Sequence, residues 1–455
     1  MSLQNDLTSG SVNKHILQFS LPLLLSNLFQ ALYNAVDMYF AGQYLGTAGL
    51  VAVGVSGPIM NVLFMSIAGM SVGVSVAIGA HMGQGDMDSV RQSAGTAISL
   101  YAVCAACMMS VGFVLAPFLL QLISTPVEAY SMAVAYLRIV MLGMPFTLGY
   151  NLICAFQRGF GDSRSSLLFV LIATGANALL DILFVRDMAF GAQGLALATI
   201  TSQALSLMMG IAYFRYKKHI ISFSPRAWRW SRPHMKELVH IGLPSALQQA
   251  LVTISHLTLN GIVNTYGLAV SAAYGIGVKL DSFAILPCTA ISDAVAAFTS
   301  QNLGANQEER ALSSVRTARR MALAINIPLT ALILVFAPHL ARLFNSDPAV
   351  IALTAHYLRI AGYMYILHAL VHPTVGFVKG SGNAMFSLTN VIQSHYLVRI
   401  PLALLLSKVL GLGFTGIAIA WLSSPLYSNF TYAYFLHSGR WKRRLDRSRA
   451  KGNAI

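Results

Sequence analysis

Charge is what this chain has least of. Only 10% of its 455 residues are Asp, Glu, Lys or Arg, against 56% that are hydrophobic. That balance excludes an ordinary soluble domain and points to a polytopic membrane protein. Acids are the scarcer sign, 15 against 30 Lys and Arg, for a formal net charge of +15. The excess is no nucleic-acid footprint, because the basic residues cluster in short loops between apolar runs. Cysteine is also rare: Cys104, Cys107, Cys154 and Cys288 all lie in apolar segments. Cys104 and Cys107 form a C-x-x-C without histidine or acidic neighbours, which reads as buried small apolar residues rather than zinc or redox chemistry. The chain has no P-loop and no H-E-x-x-H, so neither ATP-driven pumping nor zinc proteolysis has support. Gly411-Leu-Gly413-Phe-Thr-Gly416 fits G-x-G-x-x-G but joins two apolar runs and follows no strand. The polar start lacks a small-residue cleavage site, and reads as a cytoplasmic tail rather than a signal peptide.

What the chain does have is long apolar runs. Twelve read as membrane helices, at 15–40, 50–80, 94–122, 131–154, 166–190, 193–215, 238–262, 269–299, 316–343, 354–377, 386–409 and 413–437. Sorting Lys and Arg by alternate loops supports this count. Most fall on the side of the two termini, only Arg186, Arg342 and Lys408 on the other, and Arg138, Lys279, Arg359 and Arg399 inside the helices. Both termini are therefore expected in the cytoplasm.

The two halves repeat. Tyr136-Leu137-Arg138-Ile139 recurs as Tyr357-Leu358-Arg359-Ile360, 221 residues later, and Gly159-x-Gly161-Asp162 as Gly380-x-Gly382-Asn383 at the same offset. Leu21-Pro22 recurs as Leu243-Pro244, and Gly191-x-x-Gly194 as Gly413-x-x-Gly416, each at an offset of 222. Six helices per half is an even number, so both halves cross the membrane in the same sense, as parallel repeats of an alternating-access transporter do. The expected organisation is an N-lobe at 1–215, a basic cytoplasmic linker at 216–236, a C-lobe at 237–438 and a basic cytoplasmic tail at 439–455. Trp228-Arg229-Trp230 in the linker reads as interfacial tryptophan amid positive-inside charge.

Against this apolar background, Asp37, Asp181, Asp281 and Asp293 fall inside expected helices. An intramembrane carboxylate costs several kcal/mol unless something stabilises it, and so defaults to function. Asp37 and Asp181 lie in the first half, each near the non-cytoplasmic end of its helix. Asn177 precedes Asp181 by one turn and shares its face. Tyr136 and Asn151, fifteen residues apart on one expected helix, also fall on a common face. If these faces converge they form a cage of carboxylates, amides and a phenol. Two such carboxylates cannot both stay charged cheaply, so the cage suits a proton, or equally a hard cation such as sodium. In the second half His368 and His372 stack at i, i+4. They read first as packed neutral histidines and second as a proton-binding pair.

These residues resemble the multidrug and toxic compound extrusion (MATE) transporters, over nearly the whole chain. The likeness rests on L-P-x-x-x-x-x-L-F-Q-A-L-Y-N-x-x-D ending at Asp37, on R-G-x-G-D at Arg158 to Asp162, and on Ser300-Gln301-Asn302-Leu303-Gly304-Ala305. It implies two six-helix lobes and export of cationic, often aromatic compounds in exchange for protons or sodium. It further implies an N-lobe cation site at Asp37, Asn177, Asp181 and Thr199, joined by Tyr136 and Asn151; sodium, where it is the coupling ion, would sit on the first four. One branch of the family has acids at a second, C-lobe site, where this chain has Val252 and His368. The resemblance is therefore to the DinF-type branch, coupled through the N-lobe, with protons favoured over sodium.

The resulting expectation is an all-α polytopic membrane protein of twelve helices that is no enzyme. It would act as a monomer in the cell's inner or plasma membrane. Small organic cations are its expected substrates, and it needs no cofactor beyond the transported H+ or Na+. Two other readings stand beside it: a flippase for a lipid-linked precursor of the same superfamily, and a non-transporting membrane receptor or assembly protein.

Overall fold

The computed structural model describes residues 6–217, 221, 223 and 228–442; Lys218, Arg226 and the basic residues beyond 442 lie outside them. Within lipid no water can satisfy a backbone N–H or C=O, so a spanning segment must be a helix or part of a closed barrel. Among the described residues the chain forms helices and no strand. In order these are α1 (Val12–Tyr44), α2 (Gly46–Gln84), α3 (Met87–Leu122), α4 (Val127–Leu142), α5 (Met144–Gly159), α6 (Ser163–Asp181), α7 (Gly191–Tyr216), α8 (Arg232–Asn264), α9 (Leu268–Gly304), α10 (Glu308–Arg342), α11 (Pro348–Ala361), α12 (Met364–Gly380), α13 (Ala384–Val391), α14 (Ile400–Leu404) and α15 (Gly413–His437).

Eight of the described helices are long and apolar enough to cross a membrane, or up to ten if each of two bent pairs is one span. The last two expected spans, 386–409 and 413–437, are helical without meeting that measure. Gln393, His395 and Arg399 interrupt the first of them, and Ser423, Ser424 and Asn429 the second. Several helices run past their expected ends because capping residues outside the apolar runs extend them. Asp86 accepts the backbone N–H of Ser89 at the start of α3, and Asp162 that of Ser165 at the start of α6.

Two expected helices are broken. α4 and α5 meet at an angle of 48° across Gly143, and α11 and α12 at 45° near Gly362. Pro145, without an N–H, follows the first break. Tyr136 and Asn151 therefore sit on different rods, and the expectation that one straight helix aligns them is overturned. Cys107 also departs from expectation: it is exposed, whereas Cys154 and Cys288 are buried.

The described residues fall into two compact units, Met1–Asp6 with Leu21–Ala246, and Leu7–Ser20 with Leu247–Ile455. In the first, Val74, Ala77 and Ile78 of α2 pack against Leu137 of α4 and Ile153 and Phe156 of α5. In the second, Ile291, Val295 and Phe298 of α9 pack against Val315 of α10 and Phe377 of α12. Small residues permit the closest approaches. A Cβ on Gly159 would lie 3.0 Å from the carbonyl oxygen of Ser75, and one on Gly380 would lie 2.4 Å from that of Ala296. Those two glycines, like the two residues they face, are 221 positions apart, so both units use one packing device.

The repeat also explains irregular backbone. α6 continues into a π-helical stretch at Ile182–Asp187, matched after α14 by Leu405–Val409. Between α13 and α14 the second unit has a further π-helical stretch, Ile392–Arg399, without counterpart in the first. The offset passes from 221 to 222 across this helix, and a π-bulge is how a helix absorbs one inserted residue.

Candidate functional site

The first unit gathers its polar residues around Asp37. α1 carries Tyr33 and Asp37 one turn apart, α6 carries Asn177 and Asp181 one turn apart, and α7 carries Thr199 and Ser202. Asp37 lies beside Asp181, Asn177 and Thr199. Tyr33 stands against Thr199 and Ser202, and Tyr136 of α4 is within electrostatic reach of both carboxyls. Asn177 and Asp181 are fully buried. Asn151 is spent elsewhere, donating its amide to the carbonyl of Thr147 at 2.8 Å on its own helix. Sequence reasoning missed Tyr33 and Ser202, although Tyr33 falls four residues before Asp37, on the same helical face.

Within this cluster the polar atoms are left open. Asp37 Oδ1, both Asp181 oxygens, both Asn177 amide atoms and the Tyr33 hydroxyl are buried without a hydrogen-bond partner. Neither aspartate forms an ion pair among the described residues. An apolar layer of Phe40, Val53, Val185 and Leu195, with Val36 and Ile182, borders the cluster. Unscreened carboxyls in such surroundings repel one another, and a bound cation relieves them. Among the described residues no group of three or more His, Cys, Asp or Glu side chains is placed to hold a metal ion. The oxygens that would face a hard cation are those of Asp37, Asp181, Asn177 and Thr199.

The second unit treats its acid differently. Asp281 of α9 accepts hydrogen bonds from Tyr357 and Tyr365, so both its oxygens are used. His368 and His372 of α12 meet edge to face, their ring centroids 5.1 Å apart. Arg399 finds its partners within this unit: an Nη donates to Ser255 Oγ at 2.7 Å, and the guanidinium lies 4.6 Å from the Trp421 ring centroid.

A model of the MatE family matches residues 22–183 and again 244–405. The chain belongs to the MatE family. The two matches lie 222 residues apart at both ends, so the family unit is one half of the chain and occurs in it twice. Members of this family are membrane transporters and not enzymes. A protein named probable multidrug resistance protein YpnP, from Bacillus subtilis, is 29% identical over 96% of this chain and 97% of its own length. One named FAD transporter, from Shewanella oneidensis, is 24% identical over 90% and 92%. Among solved structures, an outward-facing multidrug resistance MATE family transporter matches with a TM-score of 0.89, at 23% identity, over 97% of both chains. That likeness carries the fold, two repeated lobes of membrane helices.

Proposed function

We propose that this MatE protein is an antiporter that exchanges protons, taken up by Asp37 and Asp181, for cationic and partly aromatic compounds exported by alternating access. The observation that carries this reading is the pair itself: two neighbouring acids in membrane helices, which form no ion pair among the described residues. One proton needs a single carboxyl oxygen, whereas a hard metal cation is held by many oxygens at once. The resemblance to the DinF-type branch, coupled through the N-lobe, favours the proton. Substrate and proton then compete for the same negative charge, and the shift between states is limited by the proton's differential affinity for them. The multidrug name of the Bacillus relative supports drug-like cargo. The asymmetry of Lys and Arg supports cytoplasmic termini in the plasma membrane.

The test is efflux from liposomes holding the purified protein, with pH and sodium gradients imposed separately. A pH gradient alone should drive export of a lipophilic cation. Export driven by sodium alone would replace the proton in this reading. A second reading, cargo of another class such as a lipid-linked or nucleotide-like compound, draws on the name of the Shewanella relative. It gains if cations are refused while such compounds move.

A further inference from the structure

The repeat carries the cluster around Asp37 onto a second set of positions. At the Leu21-Pro22 offset of 222, Tyr33 and Asp37 correspond to Ser255 and Leu259; at the Gly191 offset, also 222, Thr199 corresponds to Trp421. The same offset relates the end of α6 to its counterpart. Met188 N–H bonds to the Leu183 carbonyl and Leu410 N–H to the Leu405 carbonyl, each at 2.9 Å. Asn177 thus corresponds to Arg399, and Asp181 to Ala403. Both acids have become aliphatic side chains that are fully buried, and an arginine stands where the first unit has an amide.

The polarity of the place is inverted while its geometry persists. Ser255, Arg399 and Trp421 meet in the second unit as residues of the same helices meet around Asp37 in the first. Arg399 is only 2% exposed and makes no ion pair among the described residues. Asp281 is taken by its two tyrosines. The His256 ring is 5.0 Å from that of Trp421, and His256, His368 and His395 all lie within electrostatic reach of Arg399. Arg399 Nε and His368 Nδ1 are buried without a partner, while the Trp421 indole and the Tyr274 hydroxyl stand against each other. A buried guanidinium with an unpaired Nε–H, and with no counter-ion among the described residues, is strongly unfavourable unless an anion completes it.

We propose that Arg399 is the centre of a second site, wholly within the unit Leu247–Ile455, that takes the carboxylate of an aromatic compound. A carboxylate matches the edge of a guanidinium with two parallel hydrogen bonds, and the Nε edge of Arg399 is unused. A single guanidinium suits a single negative charge, and the Trp421 and His256 rings offer flat faces for an aromatic body. The site goes beyond cation export and does not depend on which ion drives it.

The experiment compares two phosphonium ions, ethyltriphenylphosphonium and (3-carboxypropyl)triphenylphosphonium, binding to purified full-length protein in nanodiscs. The carboxylate form should bind about tenfold more tightly, roughly the worth of one charge-assisted pair. Arg399→Gln should abolish that preference and Arg399→Lys keep part of it, because an ammonium retains the charge without the fork. Equal binding of the two ions to wild type, or a preference that survives Arg399→Gln, would overturn the proposal. Should Arg399→Gln fail to fold, wild type decides alone: benzoate should raise its melting temperature and neutral benzyl alcohol should not. A wild type indifferent to benzoate counts against the site. Asp37→Asn, assayed in parallel, should lose ion coupling yet keep the carboxylate preference, so the two readings fail separately.

Discussion

Tyr357 donates a 2.7 Å hydrogen bond to Asp281 Oδ2, and Tyr365 donates to Oδ1 of the same carboxyl. Asp281 is thus a satisfied intramembrane acid, whereas Asp37 and Asp181 keep buried oxygens without partners. Asp281→Asn and Tyr357→Phe should each destabilise the protein by roughly 1.5–3 kcal/mol, the range for hydrogen bonds to charged groups. The double variant should cost less than the sum, because the two residues share one bond. Thermal unfolding in detergent measures this, and strictly additive losses would show that the pair is not energetically coupled.

Asp37→Asn and Asp181→Asn should abolish proton-driven export while leaving expression near normal. Each removes a proton acceptor without removing volume. Asn177→Ala should cause a partial loss, since its amide is a neighbour and not a carrier of charge. His368→Ala should leave coupling intact. Liposomes assayed from about pH 5.5 to 8, a window that lies above ordinary carboxyl titration and spans that of histidine, give the answer. Unchanged pH dependence in both aspartate variants would reduce the pair to a structural role.

Arg310 ties the start of the chain to α10. Its guanidinium donates to the carbonyls of Leu7 at 3.1 Å, Ser9 at 2.7 Å and Gly10 at 2.7 Å. Asn302 donates to Leu7 as well, at 3.1 Å. Arg310→Ala should raise hydrogen exchange in residues 8–11, with local protection falling by about 1.5–3 kcal/mol. Arg310→Lys should recover little, because a point charge cannot span three carbonyls as a planar fork does. Full recovery by lysine would mean that charge alone holds the segment.

At the start of α3 the Ser89 backbone N–H holds the Asp86 carboxyl below the usual carboxylate range. The stability this cap contributes is present above the unfolded carboxyl's value and is lost as pH falls through the lower, folded one. Asp86→Ala should therefore cost roughly 1 kcal/mol near neutral pH. The difference from wild type should hold to about pH 5 and shrink below about pH 4. Melting temperatures of both proteins across that range measure it, and a gap that widened in acid would contradict the sign.

The fold class, the repeat and the two acids of the first unit could be read from the chain because each depends on short-range information. Apolar run length sets whether a segment suits lipid, a constant offset exposes a duplication, and a carboxylate inside an apolar run is conspicuous by its cost. The register of Asn177 and Asp181, and of His368 and His372, follows from helical period alone. The straight helix expected to carry Tyr136 and Asn151 failed because Gly143 and Pro145 bend the rod. Only the packed structure decided which acids are satisfied. Tyr357 and Tyr365 reach Asp281 across sequence separations of 76 and 84 residues, and Ser255 meets Arg399 across 144. No local pattern encodes such meetings, because a side chain's partner is set by which helix faces pack together, and that is a property of the whole bundle.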